Sequence, residues 1–331
     1  MAEDVWVVGI EIGGTKIQLG IGRGQGDLVA LERLRVDLER HAAGILDQVR
    51  EAFPILLRKA NVDRAQIQAV GIGFGGPVDA EHGVIQKSYQ VAGWDDFPLG
   101  TWIGEHLEVP IVVVHNDADA AGLGEARFGA GLGFSPLLYM TVGSGIGGAL
   151  IIGDRIYRGF GKGAGEIGHL RVIDPSRSDA RLDELERVAS GWAIARAAQD
   201  HARKILQNGG DWIVLDRADG DPSRITTVLV AEAAQAGDTE SASILARARA
   251  AMAFALVQAI TLVAPRRIVI GGGVSLIGEA GWFDPIRRLV QQDVFPPFRG
   301  GFDIVPAALG EEVVVHGALA LARDAVADRR C

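Results

Sequence analysis

The sequence predicts an α/β protein with mixed sheets covered by helices, built from two related halves. A strand–turn–strand pattern occurs twice, because residues 7–22 read VVGIEIGGTKIQLGIG and residues 138–153 read LYMTVGSGIGGALIIG. Each copy is followed by a further β-like segment, which begins at Asp27 in the first half and at Asp154 in the second. The other strand-like segments are continuous apolar runs followed by helical periods, which is typical of sheets with helices on their faces. We therefore expect one copy of the same unit in each half.

Hydrophobic periodicity predicts the elements of the first half in order. They are strands at 5–10, 17–21 and 28–36, a helix at 41–60, a strand at 69–74, a helix at 99–107 and a strand at 111–115. That last strand runs directly into Asn116, after which small residues and Leu123 begin a further helical period. We place the first, smaller domain at 1–120.

The second half repeats the pattern and forms the predicted larger domain, 121–311. Its elements are strands at 137–142, 149–152 and 155–158, helices at 186–207 and 239–263, strands at 267–270 and 303–306, and a helix near 312–327. No linker or low-complexity segment separates the two halves. The C-terminal helix, within 312–331, can pack back on the first domain.

Composition excludes several classes of protein. The net charge is −9 and the pI is near 5.3, whereas nucleic-acid binding needs a basic surface. No apolar run approaches the roughly 20 residues that are needed to cross a bilayer, and no N-terminal signal segment is recognisable. Cys331 is the only cysteine, so neither an intrachain disulfide nor a cysteine cluster for zinc can form. We expect a cytoplasmic protein with no nucleic-acid or membrane partner.

Glycine content points to ligand binding. The chain has 45 glycines, about twice the usual share, and they cluster in turns between apolar runs. Glycine-rich turns expose backbone N–H groups, because no Cβ blocks an anion from approaching them. Hairpin geometry alone would explain either turn by itself, but it explains the pair poorly. Two such turns suit one polyphosphate, which predicts an ATP-using enzyme.

Five motifs occur in the order found in the ROK family, which this chain resembles over nearly its whole length. They are EIGGTK at 11–16, NDADAA at 116–121, VGSGIGG at 142–148, GEIGH at 165–169 and IGGG at 270–273. The ROK family groups sugar kinases, including bacterial glucokinases, with sugar-responsive repressors. The resemblance implies the two-domain actin-like ATPase (ribonuclease H-like) fold, ATP with Mg²⁺, a hexose in the interdomain cleft and a homodimer.

Asp117 is the candidate catalytic base. It follows a buried strand where a helix begins, which is where α/β folds place ligands. From the residues alone, Asp117 or Asp119 could equally cap that helix, since Asp is favoured there. The resemblance implies that Asp117 is the base and that Asn116 contacts a sugar hydroxyl, and it leaves Asp119 as a helix-start residue.

Other residues are assigned to the sugar through the resemblance. A carboxylate and an imidazole between glycines can accept and donate hydrogen bonds to a polyol, although such a pair is more often a surface pair or part of a metal site. The resemblance implies that Glu166 and His169 bind sugar, that Glu186 is a further sugar-binding acid and that Gly76 lies along the sugar. Glu186 could also be an exposed residue of a first helical turn, and Gly76 could belong to a plain Gly-Pro turn.

The resemblance also implies the nucleotide contacts. The residues that approach the phosphates are Gly13, Gly14, Thr15 and Lys16 in the first half and Gly143, Ser144 and Gly145 in the second, while Gly271, Gly272 and Gly273 pass near the adenosine. Glu11 stands where most glucokinase-like members have Asp, and this acid normally holds a water of the Mg²⁺ shell. The longer side chain puts the metal arrangement in question, because Mg²⁺ is geometrically demanding.

A second departure from the family concerns zinc. Many members follow the motif histidine with cysteines that bind structural zinc, whereas residues 170–185 contain no cysteine. His169 therefore cannot belong to such a site, and we predict that the protein holds no structural zinc. The segment is then either mobile or held by other contacts, such as ion pairs among its Arg and Asp residues.

The leading hypothesis is an ATP-dependent hexose kinase that phosphorylates glucose at the 6-hydroxyl. Fructose, mannose and N-acetylated hexosamines remain alternatives, as does a sugar sensor that has lost catalysis. A transcription regulator is disfavoured because the chain is acidic and only a few residues precede the first hairpin. A dehydrogenase is disfavoured because the turn at Gly143 leads into a strand, whereas a dinucleotide fingerprint leads into a helix.

Overall fold

The structure is a computed structural model that describes residues 5–88, 90–160, 163–174 and 182–329. The chain divides into two units. The first comprises Met1–Tyr139, Ala149–Ala164 and Ala307–Cys331, and the second comprises Met140–Gly148 and Gly165–Pro306.

The first sheet lies in the first unit and has the strand order β3-β2-β1-β4-β7. Its strands are β1 (Trp6–Ile12), β2 (Lys16–Gly22), β3 (Ala30–Arg35), β4 (Ile67–Phe74) and β7 (Val112–Asn116), and the short pair β5 (Val78–Asp79) and β6 (Val84–Ile85) follows β4. β1 pairs antiparallel with β2 and parallel with β4, and β4 pairs parallel with β7. Apart from its first residue, β1 is buried throughout, which is typical of a strand covered on both faces.

The second sheet has the strand order β10-β9-β8-β13-β14. Its strands are β8 (Leu137–Val142), β9 (Ile146–Ile152), β10 (Arg155–Ile156), β13 (Arg267–Gly271) and β14 (Asp303–Pro306), and a separate hairpin consists of β11 (Arg171–Ile173) and β12 (Leu182–Glu184). In chain order both sheets therefore run third-second-first-fourth-fifth. The repeated strand–turn–strand pattern corresponds to a repeated topology, which confirms the predicted α/β class with mixed sheets.

Helices cover the sheets. They are α1 (His41–Ala60), α2 (Leu99–Leu107), α3 (Asp117–Phe128), α4 (Leu185–Ala189), α5 (Gly191–Gln207), α6 (Ile213–Arg217), α7 (Thr227–Gln235), α8 (Thr239–Val263), α9 (Asp284–Asp293) and α10 (Val313–Asp328). Within the first unit, α10 packs on β1, β4 and α3. The contact is close, because a Cβ on Gly71 would lie 2.0 Å from the Ala318 carbonyl oxygen and one on Gly317 would lie 1.7 Å from that of Ala120.

The helix predicted at 186–207 is two helices. The chain breaks at Ser190, whose hydroxyl accepts a hydrogen bond from Ala193 N at 3.2 Å and caps α5. Serine is favoured at such a cap because its oxygen satisfies a free helical N–H group. The helices α6, α7 and α9 were not predicted from the sequence.

α8 has 25 residues and is long and apolar enough to cross a membrane by length and composition alone. This is weak support for a membrane span, because buried core helices of soluble proteins pass the same test. More than half of its most apolar window (56%) is buried inside the protein.

Candidate active site

Three parallel strands of the first sheet end side by side. Ile12 at the end of β1 lies opposite Phe74 at the end of β4, and Phe74 lies opposite Asn116 at the end of β7. The turn after β1, the loop after β4 and the start of α3 therefore leave the sheet at one edge. Ligands in open α/β sheets bind at the carboxyl ends of the strands, so this edge is the candidate site in the first unit.

Asp117 is the first residue of α3 and lies at this edge. Its Oδ1 accepts a hydrogen bond from Ala118 N at 2.8 Å. Its Oδ2 lies 3.4 Å from the position that a Cβ on Gly75 would take, which places the carboxylate against the loop after β4. The N-terminus of a helix favours a negative charge, and Asp117 is an acidic residue in the first turn of α3.

Asn116 is the N-cap of α3. Its Oδ1 accepts from Ala118 N at 2.8 Å and from Asp119 N at 3.4 Å, and its Nδ2 donates to the Gly76 carbonyl oxygen at 3.1 Å. The capping role that the sequence left open for Asp117 or Asp119 thus falls to the preceding asparagine. The same side chain ties the end of β7 to the loop that contains Gly76.

The turn between β1 and β2 is surrounded by charged and polar side chains. Gly13 N donates to the Lys16 carbonyl oxygen at 3.0 Å, which closes the turn. The Lys16 Nζ lies 3.3 Å from Glu11 Oε1 and donates to the Glu311 carbonyl oxygen at 3.2 Å. Gln18 Nε2 donates to Glu11 Oε2 at 2.6 Å. These contacts join the turn to the segment that leads into α10.

Glu11 is a buried carboxylate, with 7% of its surface exposed. Burial raises its pKa, because removal from water disfavours the charged form, and the nearby Lys16 ammonium opposes that rise. A buried carboxylate oxygen of this kind is a hard donor that suits Mg²⁺.

Gln90 is a neighbour of the first turn that the sequence analysis missed. A Cβ on Gly14 would lie 1.7 Å from Gln90 Oε1, so the glutamine amide lies directly against the glycine. Lys87, three residues before Gln90, lies against the loop after β4, because a Cβ on Gly76 would lie 2.8 Å from the Lys87 carbonyl oxygen. No local pattern in the sequence signals that Gln90 lies against the turn between β1 and β2.

The turn between β8 and β9 is held mainly by backbone contacts. Gly143 N donates to the Gly145 carbonyl oxygen at 2.9 Å, and Gly191 N and Trp192 N donate to the Gly143 and Ser144 carbonyl oxygens at 2.8 and 3.3 Å. The turn leads into β9 and not into a helix, so it lacks the strand–turn–helix order of a dinucleotide fingerprint.

The end of β13 meets the same region of the second unit. Gly272 has a φ of +85°, and a Cβ there would lie 2.6 Å from the carbonyl carbon of Val142 at the end of β8. A glycine is therefore required by both the backbone conformation and the close approach. Two of the predicted nucleotide segments, 143–145 and 271–273, are thus brought together.

The predicted sugar-binding residues of the second unit belong to two segments that pack at the first residue of β9. Glu186 lies in the first turn of α4, and its Oε2 accepts from Ile146 N at 2.8 Å. A Cβ on Gly168 would lie 2.1 Å from the Ile146 carbonyl oxygen, so the segment with Glu166 and His169 packs at the same point. The side chains of Glu166 and His169 are exposed. Glu186 therefore borders the turn between β8 and β9, a contact that the sequence did not predict.

Among residues 5–88, 90–160, 163–174 and 182–329, no group of three or more His, Cys, Asp or Glu side chains could hold a metal ion. Part of the segment that the resemblance connects with zinc, 175–181, lies outside the described residues, so the expected absence of zinc stays a prediction.

Comparison with known proteins identifies the family. Residues 7–325 match the ROK family. A glucokinase from Halalkalibacterium halodurans is 30% identical over 318 residues, which cover 95% of this chain and 94% of that protein. A bifunctional enzyme NanE/NanK from Brucella melitensis is 32% identical over 320 residues, which cover 96% of this chain and 54% of that protein.

A solved structure supports membership of the same family. The ROK family glucokinase from Streptomyces griseus in complex with glucose and AMPPNP shares 31% sequence identity and a TM-score of 0.79, and the match covers 96% of this chain and 99% of that one. The predicted actin-like ATPase fold is thereby confirmed. The chain belongs to the ROK family and is a sugar kinase of that family.

Proposed function

We propose that the protein transfers the γ-phosphoryl group of ATP to the 6-hydroxyl of glucose. The observation that carries the proposal is the position of Asp117, at the start of α3 and beside the ends of three parallel strands. The similar proteins support the choice of sugar, since the H. halodurans relative is named a glucokinase and the S. griseus structure contains glucose and AMPPNP. A cytoplasmic location and a homodimer complete the proposal, and light scattering of the purified protein tests the latter.

Asp117 acts as the general base. As the sugar hydroxyl oxygen forms its bond to the γ-phosphorus, the bond from that phosphorus to the bridging oxygen breaks and ADP leaves. The hydroxyl proton passes to the Asp117 carboxylate, which is the group in the first unit that stands at the strand ends with a helix N-terminus behind it. The rest of the protein positions the reactants and stabilises charge, as phosphoryl transfer requires.

The sugar is held by groups that accept and donate hydrogen bonds. Carboxylates accept from hydroxyl groups, whereas an amide or an imidazole can also donate to them. The proposed ligands are Asn116, the backbone at Gly76, Glu166, His169 and Glu186. The packing of Glu186 and of the 166–169 segment at the start of β9 supports their assignment to one ligand.

The phosphates bind to the two glycine-rich turns. We assign Gly13, Gly14, Thr15 and Lys16 of one turn and Gly143, Ser144 and Gly145 of the other to a single nucleotide, with Gly271, Gly272 and Gly273 near its adenosine. Glu11 would hold Mg²⁺ through a water molecule, and a cation there would offset the burial that raises the pKa of this carboxyl. Bound Mg²⁺ would neutralise charge on the phosphate oxygens.

A coupled assay of ADP release over a panel of hexoses tests the proposal. Glucose should release ADP, whereas 6-deoxyglucose, which lacks only the acceptor oxygen, should not, and phosphorus NMR should show glucose 6-phosphate. Fructose, mannose and N-acetylated hexosamines complete the panel, since one of them could be the preferred substrate. If no sugar releases ADP faster with the wild type than with Asp117→Asn, the kinase proposal fails and a sugar sensor takes its place.

A further inference from the structure

The β11–β12 hairpin carries proposed sugar ligands at both of its ends. His169 comes shortly before β11, and Glu186 comes shortly after β12. At the base of the hairpin, Leu185 N donates to the Leu170 carbonyl oxygen at 2.9 Å, which ties the two ends together. The placement of this hairpin therefore decides where both ligands lie.

The hairpin cannot hold that placement by itself. Its strands have 3 residues each, and they form a sheet of their own. A two-stranded hairpin is at best marginally stable in water. Of the two strands only Val172 is buried, while Ile173 and Leu182 are 46% and 50% exposed. The hairpin needs an anchor on a larger element.

Exposed ion pairs of the hairpin are weak anchors. Arg171 Nη2 lies 3.3 Å from Glu184 Oε1 across the strands, and the arginine side chain is 58% exposed. Glu184 also lies 3.1 Å from Nε of Arg187, whose side chain is 61% exposed. Exposed pairs of this kind contribute about 0–1 kcal/mol, because water and salt screen them.

A buried ion pair connects the hairpin to α8. Asp174 directly follows β11, and Arg247 lies on α8, the 25-residue helix of the second unit. Arg247 Nη2 donates to Asp174 Oδ2 at 2.8 Å, and Arg247 Nε lies 2.8 Å from Oδ1. The Asp174 side chain is 5% exposed and that of Arg247 is 27% exposed. The Nη2 contact is a charge-assisted hydrogen bond, which holds the carboxylate at a fixed distance from the helix.

We propose that Asp174 and Arg247 form a positioning pair for sugar binding, which holds the hairpin on α8 and so fixes His169 and Glu186 near Ile146. This inference rests on the proposed function. Neither residue contacts the substrate in this scheme. Their loss should therefore weaken sugar binding while leaving the nucleotide turns and Asp117 in place.

The test compares Arg247→Met with Arg171→Met. Each variant removes an arginine from one ion pair of the same hairpin and keeps a side chain of similar length. We expect Arg247→Met to raise the KM for the sugar about tenfold or more, because small displacements of positioning groups are costly. Its KM for ATP should stay within about twofold of the wild type, as should both constants of Arg171→Met. Arg247→Lys should recover part of the sugar affinity.

A double variant separates positioning from stability. Arg247→Met takes a cationic partner away from a buried carboxylate, which destabilises the fold, whereas Asp174→Asn/Arg247→Met removes the carboxylate charge as well. We expect the double variant to regain thermal stability without regaining the KM for the sugar. If the KM returns with the stability, or if the KM values for ATP and sugar rise together, the positioning role is wrong.

Hydrogen–deuterium exchange keeps the test independent of the proposed reaction. Peptides within 163–174 and 182–190 of the sugar-free protein should exchange faster in Arg247→Met than in Arg171→Met. If the wild type phosphorylates no hexose, the proposed function fails, but the comparison of exchange rates still shows whether Arg247 anchors the hairpin. Equal exchange in the two variants overturns the inference.

Discussion

The two glycine-rich turns occupy equivalent places in two sheets of the same strand order, yet their surroundings differ. The turn after β1 is bordered by Glu11 and Lys16, which form an ion pair, and leaves the sheet at the same edge as α3, which begins with Asp117. The turn after β8 is held by backbone contacts with the α4–α5 junction and has Glu186 at its edge. Under the proposed function, the duplicated hairpin would serve two tasks, in which one copy supplies charge for the chemistry and the other supplies shape for the nucleotide.

The largest effect is expected at Asp117. Asp117→Asn should lower kcat at least about a hundredfold, equivalent to ~3 kcal/mol, because the base for the sugar hydroxyl is lost. Asp119→Asn, in the same first turn of α3, is the matched control and should retain most of the activity. Steady-state kinetics with unchanged circular dichroism checks both. A kcat for Asp117→Asn close to that of the control would show that Asp117 is not the catalytic base.

Glu11 tests whether the first turn is the metal-binding one. Glu11→Gln should raise the Mg²⁺ concentration needed for half-maximal rate about 10- to 100-fold, the range found when outer-shell carboxylates are changed. Glu51→Gln, an exposed substitution on α1, should leave it unchanged. Titration of activity with Mg²⁺ at saturating ATP and sugar gives both values. An unchanged Mg²⁺ requirement in Glu11→Gln would place the metal elsewhere.

Gly272 tests whether shape governs the second turn. Gly272→Ala should lower the free energy of unfolding by about 1–3 kcal/mol, because its methyl group would meet Val142 backbone in a left-handed conformation. Gly273→Ala should change it by less than about 0.5 kcal/mol, since a Cβ there has no heavy atom within 4 Å. Urea denaturation followed by fluorescence distinguishes them. Equal effects in the two variants would mean that the close approach of β13 to β8 does not constrain the region.

The smallest effect is the pH dependence that Glu11 gives to stability. Burial raises its folded-state pKa above 4.5, so the folded protein binds this proton more tightly than the unfolded chain does. The resulting stabilisation is complete below the unfolded pKa and is lost as the pH rises through the folded pKa.

Glu11→Gln, which is neutral at every pH, should therefore gain stability relative to the wild type between about pH 4 and about pH 8. Urea denaturation at both values measures the difference. A gain at the lower pH in place of the higher would show that the Lys16 ion pair outweighs burial. In the expected case, the buried charge of Glu11 lowers the stability of the protein at the higher pH, and the same charge is the one proposed to bind Mg²⁺.

Local sequence signals predicted much of the fold. The helices at 41–60, 99–107 and 239–263 and the strand at 137–142 have the predicted bounds, and some of these bounds have a local signal. Asp238, for example, caps α8 through Ser241 N. The break at Ser190 was missed, because a serine within an alanine-rich helical period is compatible with both a cap and a continuous helix.

Contacts between distant segments of the site could not be predicted from the sequence. Gln90 against Gly14 and Glu186 on Ile146 N are set by how loops pack on strand ends, and no local pattern encodes that packing. The buried pair Asp174–Arg247 joins residues 73 positions apart in the chain. The motifs identified which residues to consider, whereas tertiary packing decides which of them touch.

The most direct test is a crystal structure with glucose and a non-hydrolysable ATP analogue. We expect an Asp117 carboxylate oxygen within about 3 Å of the glucose 6-hydroxyl. We also expect backbone amides of both turns, 13–16 and 143–145, on the phosphates of the same nucleotide. A carboxylate turned away from that hydroxyl, or a triphosphate bound by only one of the turns, would contradict it.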